Sequence, residues 1–296
     1  MAGRGFRGYI ACVVIPVFPE KLQMQGTTKN LGARRSRLAA VIKAGGDLVS
    51  VDATARTLDM PRPQAAKILA AWAKQGWLQR VGSGIYAPVG LAMLGTQQAV
   101  ADAWLLVPAL FGSGYIGGRT AAEYWDLTEQ LFRDIVVFTA RPIRSRTKET
   151  GGATFTLRHI KEERIFGTKT VWRGQTRISV SDVDRTLVDM LDDPAIGGGI
   201  EHVAECLDRY LHKKMGRKEQ LIAYAERLGN GAVFKRLGFL AERHALGGEL
   251  ASACKSRLTE GYAKLDPALK CNRIVTRWKL RVPTKWITKE THDRQG

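Results

Sequence analysis

The segment Arg34–Pro88 constrains the fold most strongly, because it contains a complete series of short elements in a fixed order. Three amphipathic segments of helical length are followed by two alternating runs, Trp77–Val81 and Ile85–Ala87. The glycine-rich turn Gly82-Ser83-Gly84 separates these runs, as expected for a hairpin. Three helices and a hairpin in this order are typical of a winged helix-turn-helix, whose third helix enters the major groove of DNA.

Turn and capping residues set the expected helix boundaries. The first helix covers Arg34–Ala44 and ends at Gly45-Gly46. Asp52 is placed to cap a second short helix that runs to Leu58. The third helix opens at Arg62-Pro63, where proline is tolerated, and stops at Gly76.

The third helix has two distinct faces. Ala65, Ile68, Leu69 and Trp72 gather on one side and predict a core face. The opposite stripe consists of Gln64, Lys67, Ala71 and Lys74. We expect Gln64 and Lys67 to reach base edges and Lys74 to meet phosphate, whereas the simpler alternative is an ordinary solvated helix face. The residues expected to contact DNA are Arg34, Arg35, Arg62, Gln64, Lys67, Lys74, Arg80 and Ser83.

Charge supports a polyanionic partner. The chain of 296 residues has a formal net charge of +18, and the segment Arg34–Pro88 holds nine Arg and Lys against three Asp, a net +6. Such an excess favours nucleic acid through counterion release, although it does not separate DNA from RNA, and a generally basic composition is the alternative. The four cysteines lack the spacing of a zinc site or a disulfide framework, so we expect a reducing cytoplasm. Binding to DNA would also associate the protein with the nucleoid. No apolar run reaches the roughly 18 residues of a membrane span.

The length predicts about two domains. We expect residues 1–30 to form a poorly ordered extension with Met24 as the more natural start, because the run Tyr9–Phe18 imitates a signal peptide without a convincing cleavage site. The winged domain covers residues 31–92, a C-terminal domain covers 93–285 and a tail covers 286–296. The predicted class is α+β, with the winged domain followed by a larger mixed α/β domain.

The larger domain combines strands and helices. Asp134–Ala140, Phe155–Ile160 and Thr170–Val180 have the apolar patterns of strands, and a mobile basic loop is expected between the first two. Helices are expected over Gln97–Leu110, Thr120–Trp125, Gln220–Leu228 and Ala232–Arg243.

Three groups in this domain suggest chemistry, and each has a structural alternative that we favour. The glycine-rich run Gly112–Gly118 lacks the Lys-Ser/Thr ending of a phosphate loop and is expected to be a turn. Asp182 and Asp184 are placed to cap a helix, and Asp189 lies four residues after Arg185, as in a helical ion pair. His202 and Cys206 lie on an amphipathic helix, with His212 nearby, without a second ligand cluster. We therefore expect no catalytic residue, cofactor or metal.

The last basic segment alternates cations with mostly apolar residues. A single strand there would place Arg273, Arg277, Lys279 and Arg281 on one face. This pattern fits either a second basic surface or an edge strand protected by charge, and the sequence does not choose between them.

Taken together, the ordered motifs resemble the AbiEi family of antitoxins from type IV toxin–antitoxin systems over Arg34 to Pro283. The resemblance rests on the winged module ending at Gly84-Ile85-Tyr86 and on four later motifs in a specific order. These are Tyr115–Ala122, Ser181–Asp189, the pair Tyr224–Leu228 and Arg236–Leu240, and Arg277–Leu280.

The resemblance implies a cytoplasmic repressor without enzymatic activity that binds repeats in its own promoter through the N-terminal domain. The C-terminal domain would neutralise a cognate AbiEii-type nucleotidyltransferase toxin, for which no stable complex is required. Binding to the repeats would involve either a dimer or monomers acting cooperatively. The residues leave two other functions open: a nucleotide-handling enzyme using the Asp182/Asp184 region or the Gly112 loop, and an RNA-binding protein using the terminal basic segment.

Overall fold

The structure is a computed structural model that describes residues 25–89 and 102–288. Its N-terminal part is a winged helix-turn-helix, and its larger C-terminal part is mixed α/β, so the predicted α+β class is confirmed. The helices of the N-terminal part are α1 (Gln25–Gly45), α2 (Val51–Thr57) and α3 (Arg62–Lys74), and its strands are β1 (Val49–Ser50), β2 (Leu78–Gly82) and β3 (Ile85–Pro88). The three strands form an antiparallel sheet in the order β1-β3-β2.

Two predicted helix starts in this part are wrong. The first helix begins at Gln25 rather than Arg34, so it crosses the boundary expected at residue 31. Ser50, and not Asp52, caps α2, because the Ser50 side chain accepts the backbone N–H of Ala53 at 3.1 Å. The rest of the expected extension, residues 1–24, lies outside the described residues.

A six-stranded mixed sheet forms the centre of the C-terminal part. Its order is β6-β7-β5-β4-β9-β8, in which β5 runs parallel to β7 and β4 parallel to β9, while the other neighbours are antiparallel. The strands are β4 (Gly114–Ile116), β5 (Asp134–Thr139), β6 (Thr147–Thr150), β7 (Ala153–His159), β8 (Thr168–Arg173) and β9 (Thr176–Ser181).

Three strand predictions need correction. The expected long strand Thr170–Val180 is a hairpin that turns at Gly174, where φ is +56°. The end of the expected basic loop forms the edge strand β6. The glycine-rich run is not only a turn, since it contains the central strand β4.

Helices pack around this sheet, and all of them except the first contribute to the largest buried cluster. They are α4 (Leu106–Phe111), α5 (Gly118–Tyr124), α6 (Val183–Asp192), α7 (Ile200–Lys213), α8 (Lys218–Leu228), α9 (Gly231–Glu242), α10 (Gly248–Lys255) and α11 (Lys285–Thr288). The expected helix over Gln97–Leu110 is only partly testable, because residues 97–101 lie outside the described residues. Its remaining part is a 3-10 turn, Ala103–Leu105, followed by α4. Trp286 of α11 packs against the large cluster, so the expected tail begins inside the domain.

The terminal basic segment is not one strand. It divides into β11 (Arg273–Val275), a 3-10 turn and β12 (Leu280–Val282), with Lys279 in the left-handed region at φ +48°. β12 also pairs with β10 (Ala263–Lys264) in a small sheet. The Trp278 ring at the break is 2% exposed and packs against Gly238 of α9, while its N–H donates to Glu242 at 2.7 Å.

The hairpin of the winged part packs directly on the C-terminal part. Val81 and Ala87 belong to the same buried cluster as Leu106, Val137 and Phe155. The Thr150 hydroxyl donates to the Val81 carbonyl at 2.5 Å, so the sheet edge at β6 is hydrogen-bonded to the wing. None of the helices in the described ranges is long and apolar enough to cross a membrane.

Candidate nucleic-acid interface

Helix α3 presents two faces as expected. Ala65, Leu69 and Trp72 are buried against α1, α2 and the hairpin, while Ile68 is half-buried. This anchoring matters because a helix that enters a groove must be held rigidly by its opposite face. The residues of the outer stripe, Gln64, Lys67, Ala71 and Lys74, are all exposed.

The exposed stripe is suited to a nucleic acid by its chemistry. Gln64 and Lys67 lie in the first half of α3, and the small Ala71 leaves room for close approach. Among the described residues, neither Lys67 nor Lys74 has an ion-pair partner. Amide and ammonium groups are donors that reach base edges or phosphates in a major groove.

Arg62 differs from the lysines of the stripe because it already has a partner. Its Nε lies 3.1 Å from Asp52 of α2, and the two side chains are 72% and 58% exposed. An exposed pair of this kind contributes little to stability, about 0–1 kcal/mol. Arg62 therefore remains available to a phosphate.

The hairpin, which forms the wing, carries two more of the residues predicted to contact DNA. Arg80 and Ser83 are both exposed, and Arg80 Nε donates to the Gly82 carbonyl at 3.3 Å. Gly84 completes the turn at φ +69°, a conformation that favours glycine. A register shift between Arg80 and Gly82 bends the strand at this position. Both side chains thus lie near the tip of a bent hairpin.

Arg34 and Arg35 lie on the exposed part of α1, upstream of its buried residue Val41. Helix α1, which carries both arginines, packs mainly on α2 and not on α3. The structure brings Arg62, Gln64, Lys67 and Lys74 together on one helix, and it places Arg34 and Arg35 on a different element.

The expected second basic surface is not a single face. In the β11–β12 register, Ile274 pairs with Arg281 and Arg273 pairs with Val282, so Arg273 and Arg281 point to opposite sides of the small sheet. Arg277 binds Glu242, with Nε 2.8 Å from the carboxylate. Lys279 is half-buried at the break. The alternation in the sequence suggested one continuous strand because it persists through the 3-10 turn.

The acidic residues Asp182, Asp184 and Asp189 are engaged in structural contacts. Asp182 caps α6 by accepting the Arg185 N–H at 2.8 Å, as predicted. Asp184 does not cap this helix. Its carboxylate accepts the Tyr210 hydroxyl at 2.7 Å and the Arg217 N–H at 3.1 Å.

Asp189 lies in a buried network that joins two motifs distant in sequence. Arg185 Nε donates to Asp189 at 2.9 Å, Tyr115 donates to the same carboxylate at 3.0 Å, and Arg185 Nη2 donates to the Tyr115 oxygen at 2.9 Å. Burial raises the pKa of Asp189 to about 7, and the Arg185 charge and the Tyr115 hydrogen bond act in the opposite direction. The predicted ion pair is confirmed, and the network holds β4 against α6.

The Gly112 region does not have the geometry of a phosphate cradle. Gly112 has φ +65°, and the Arg141 side chain fills the space where a Cβ would stand. The adjacent depression, of about 420 Å³, contains one acidic and one basic side chain, Glu162 and Arg177. This balance provides no net attraction for a nucleotide.

His202 and Cys206 are buried on α7, as the structural interpretation predicted. His202 is held by Thr128 Oγ1 at 2.9 Å and by the Gly197 carbonyl at 2.5 Å. Burial raises the pKa of the Cys206 thiol to about 12, which makes a thiolate ligand or nucleophile unfavourable.

A second histidine cluster was missed in the sequence because His244 is distant from His212. Asp208, His212 and His244 place their polar atoms 2.8–3.3 Å apart, slightly closer than the roughly 3.3 Å between ligands of a tetrahedral metal. The Leu246 N–H donates to His244 Nδ1 at 3.0 Å. The proton of neutral His244 is therefore on Nε2, which faces Asp208, so the arrangement fits a hydrogen-bonded cluster better than a metal site.

Comparison with known proteins shows a similarity of fold. No protein-family profile matches the chain, and no curated protein is significantly similar to it. Among solved structures, the Rv2827c protein from Mycobacterium tuberculosis superposes with a TM-score of 0.58 at 15% identity, over 88% of this chain and 94% of that one. At this identity the similarity shows that the two proteins share a fold.

Proposed function

We propose that this protein binds duplex DNA through α3 and the wing, and that it is an antitoxin of the AbiEi type that represses its own operon. The proposal depends on one observation, the exposed stripe of Gln64, Lys67, Ala71 and Lys74 on a helix whose other face is buried. The local net charge of +6 and the exposed Arg80 and Ser83 at the wing tip support the same proposal.

The antitoxin part of the proposal is supported by how the motifs of the resemblance pack. Tyr115 and Arg185–Asp189 meet in one buried network, and Gly238 meets Trp278. These motifs thus contribute to the core of the C-terminal domain. In this proposal the C-terminal domain neutralises a cognate AbiEii-type nucleotidyltransferase toxin, without a stable complex being required.

DNA binding is tested by titrating the full chain against the promoter region upstream of its own gene. Lys67→Ala should weaken binding by about 1–3 kcal/mol if the ammonium contacts a base. Lys213→Ala is the matched control, because it removes an equally exposed lysine from α7 in the other part of the chain. Equal retention of promoter DNA by wild type and Lys67→Ala would exclude this lysine from the interface, and tRNA competing as well as promoter DNA would contradict sequence-specific recognition.

Neutralisation is tested separately, by co-expressing the chain with the product of the neighbouring gene. Rescue of growth by the wild type and by the DNA-binding variant Lys67→Ala is the expected result, because the proposal assigns the two activities to different domains. Failure of both proteins to rescue, at matched expression levels, would refute the antitoxin function while leaving DNA binding in place.

A further inference from the structure

The wing does not project freely, since it lies against the edge of the six-stranded sheet. Thr150 at the end of β6 donates to the Val81 carbonyl, and Leu110 Cδ2 lies 2.5 Å from where a Cβ on Gly82 would stand. Both contacts fall beside Arg80 and Ser83. Strand β6 and the segment that leads into it are therefore joined to the wing at Thr150.

That segment, residues 141–150, is strongly basic. It contains Arg141, Arg144, Arg146 and Lys148 against a single acid, Glu149. Ile143 anchors it to the same buried cluster as Val81, so its position relative to the wing is fixed by packing.

The four cations differ in what they already contact. Arg141 Nη1 donates to the Leu110 carbonyl at 3.5 Å, and Lys148 Nζ lies 5.3 Å from the centre of the Phe111 ring. Arg144 and Arg146 are exposed, and within residues 25–89 and 102–288 neither side chain has a hydrogen-bond or ion-pair partner. The two unpartnered guanidinium groups thus belong to the segment that is joined to the wing at Thr150.

The distance between Arg146 and the wing is compatible with one continuous DNA-binding surface. Arg146 precedes Thr150 by four residues, which at about 3.3 Å per residue places it roughly 13 Å along the chain from the contact with Val81. Phosphates of one strand are spaced by about 3.4 Å along the DNA axis, so a reach of this length along the axis spans about four of them.

We propose that the DNA-binding surface continues from the wing onto the C-terminal domain, where Arg144 and Arg146 bind the phosphate backbone. This inference rests on the proposed DNA binding. A guanidinium group binds phosphate in a bidentate manner, and such a contact positions the protein without reading sequence. The two arginines should therefore strengthen binding to any duplex and leave the preference for the promoter unchanged.

The test is the salt dependence of binding by the full chain. Wild type and Arg144→Gln/Arg146→Gln are titrated with promoter DNA and with a scrambled duplex over a range of salt concentrations. Loss of two phosphate contacts should reduce the slope of log Kobs against log[salt] by about 1.8 on both duplexes, at about 0.9 per contact. Lys255→Gln/Lys270→Gln, which removes the same charge from two exposed lysines outside both basic segments, should retain the wild-type slope.

Two outcomes would overturn the inference and leave DNA binding by α3 intact. One is an unchanged slope in Arg144→Gln/Arg146→Gln, and the other is an equal reduction in both double variants, which would indicate a general effect of net charge. Absence of duplex binding by the wild type would instead refute the proposed function. Coincident thermal unfolding of the three proteins is the control for folding.

Discussion

The contact between Gly238 and Trp278 predicts that Gly238→Ala destabilises the protein, whereas helix propensity alone predicts that it stabilises the protein. Gly238 lies inside α9, where exchanging glycine for alanine ordinarily stabilises a helix by about 1 kcal/mol. In this structure the added Cβ would overlap Cζ3 and Cη2 of the Trp278 ring and would lie 2.7 Å from Cε3. Carbon atoms pack optimally at about 3.5–4.0 Å, so the ring must move by about 1 Å or more.

The indole ring has little freedom to move. It is 2% exposed and its N–H is fixed to Glu242. Overpacking of this kind costs about 1–3 kcal/mol, and we expect the upper end of that range because the ring is both buried and hydrogen-bonded. After the propensity gain is subtracted, Gly238→Ala should lower the free energy of unfolding by about 2 kcal/mol, or the midpoint by about 4–8 °C at 2–4 °C per kcal/mol.

The assay is thermal and urea unfolding of purified protein, with Gly248→Ala as the control. Gly248 is the first residue of α10, and no atom lies within 4 Å of the place where its Cβ would stand, so alanine there should be neutral or slightly stabilising. Trp278→Leu in the Gly238→Ala background should recover part of the loss, giving a coupling energy in the double-mutant cycle. A Gly238→Ala protein as stable as the wild type would refute the packing argument.

Three further results are expected from other parts of the molecule. Lys74→Ala should reduce the salt slope of DNA binding by about 0.9 without changing sequence preference, as a gel-shift titration at several salt concentrations would show, whereas a change in preference would mean that Lys74 reads a base. Thr150→Val should weaken the attachment of the wing by about 0.5–1.5 kcal/mol, and hydrogen exchange should accelerate in β2 and β3 but not in α9. Burial acts to raise the pKa of Asp134, but hydrogen bonds from Thr156 and Arg119 outweigh it and lower this pKa. The folded-state pKa lies below the unfolded value of about 3.9, so this stabilisation is present above about pH 3.9 and is lost as the pH falls through the lowered value. Asp134→Asn should therefore show a shallower loss of stability in acid, and an unchanged acid titration would contradict this assignment.

The winged part could be predicted closely because its signals are local. The faces of α3 follow from the 3.6-residue period, and Gly76 and the glycine pair around Ser83 mark the turns directly. The capping of α2 by Ser50 was missed because Asp52 is an equally good capping residue two positions later. Only the backbone geometry at Ser50 distinguishes the two.

The C-terminal part was harder to predict because its decisive contacts are long-range. Strand β4 has only three residues and stands among glycines, and its pairing with β5 and β9 makes it a strand. The break at Lys279 was hidden because apolar residues keep alternating through the 3-10 turn. The cluster of His244 with His212 joins two residues that are 32 positions apart in the sequence.

The attachment of the wing to the large sheet has a consequence for the modularity of the chain. Val81 is 1% exposed and Ala87 is 4% exposed, and both are covered by residues that follow position 102. A fragment ending at residue 92 would leave these side chains and the Val81 carbonyl facing water. Its sheet would also lose the packing of β2 and β3 against the C-terminal part. The winged segment is therefore not an interchangeable unit: grafting it onto another protein would require the surface around Leu110 and Thr150 to be transferred with it.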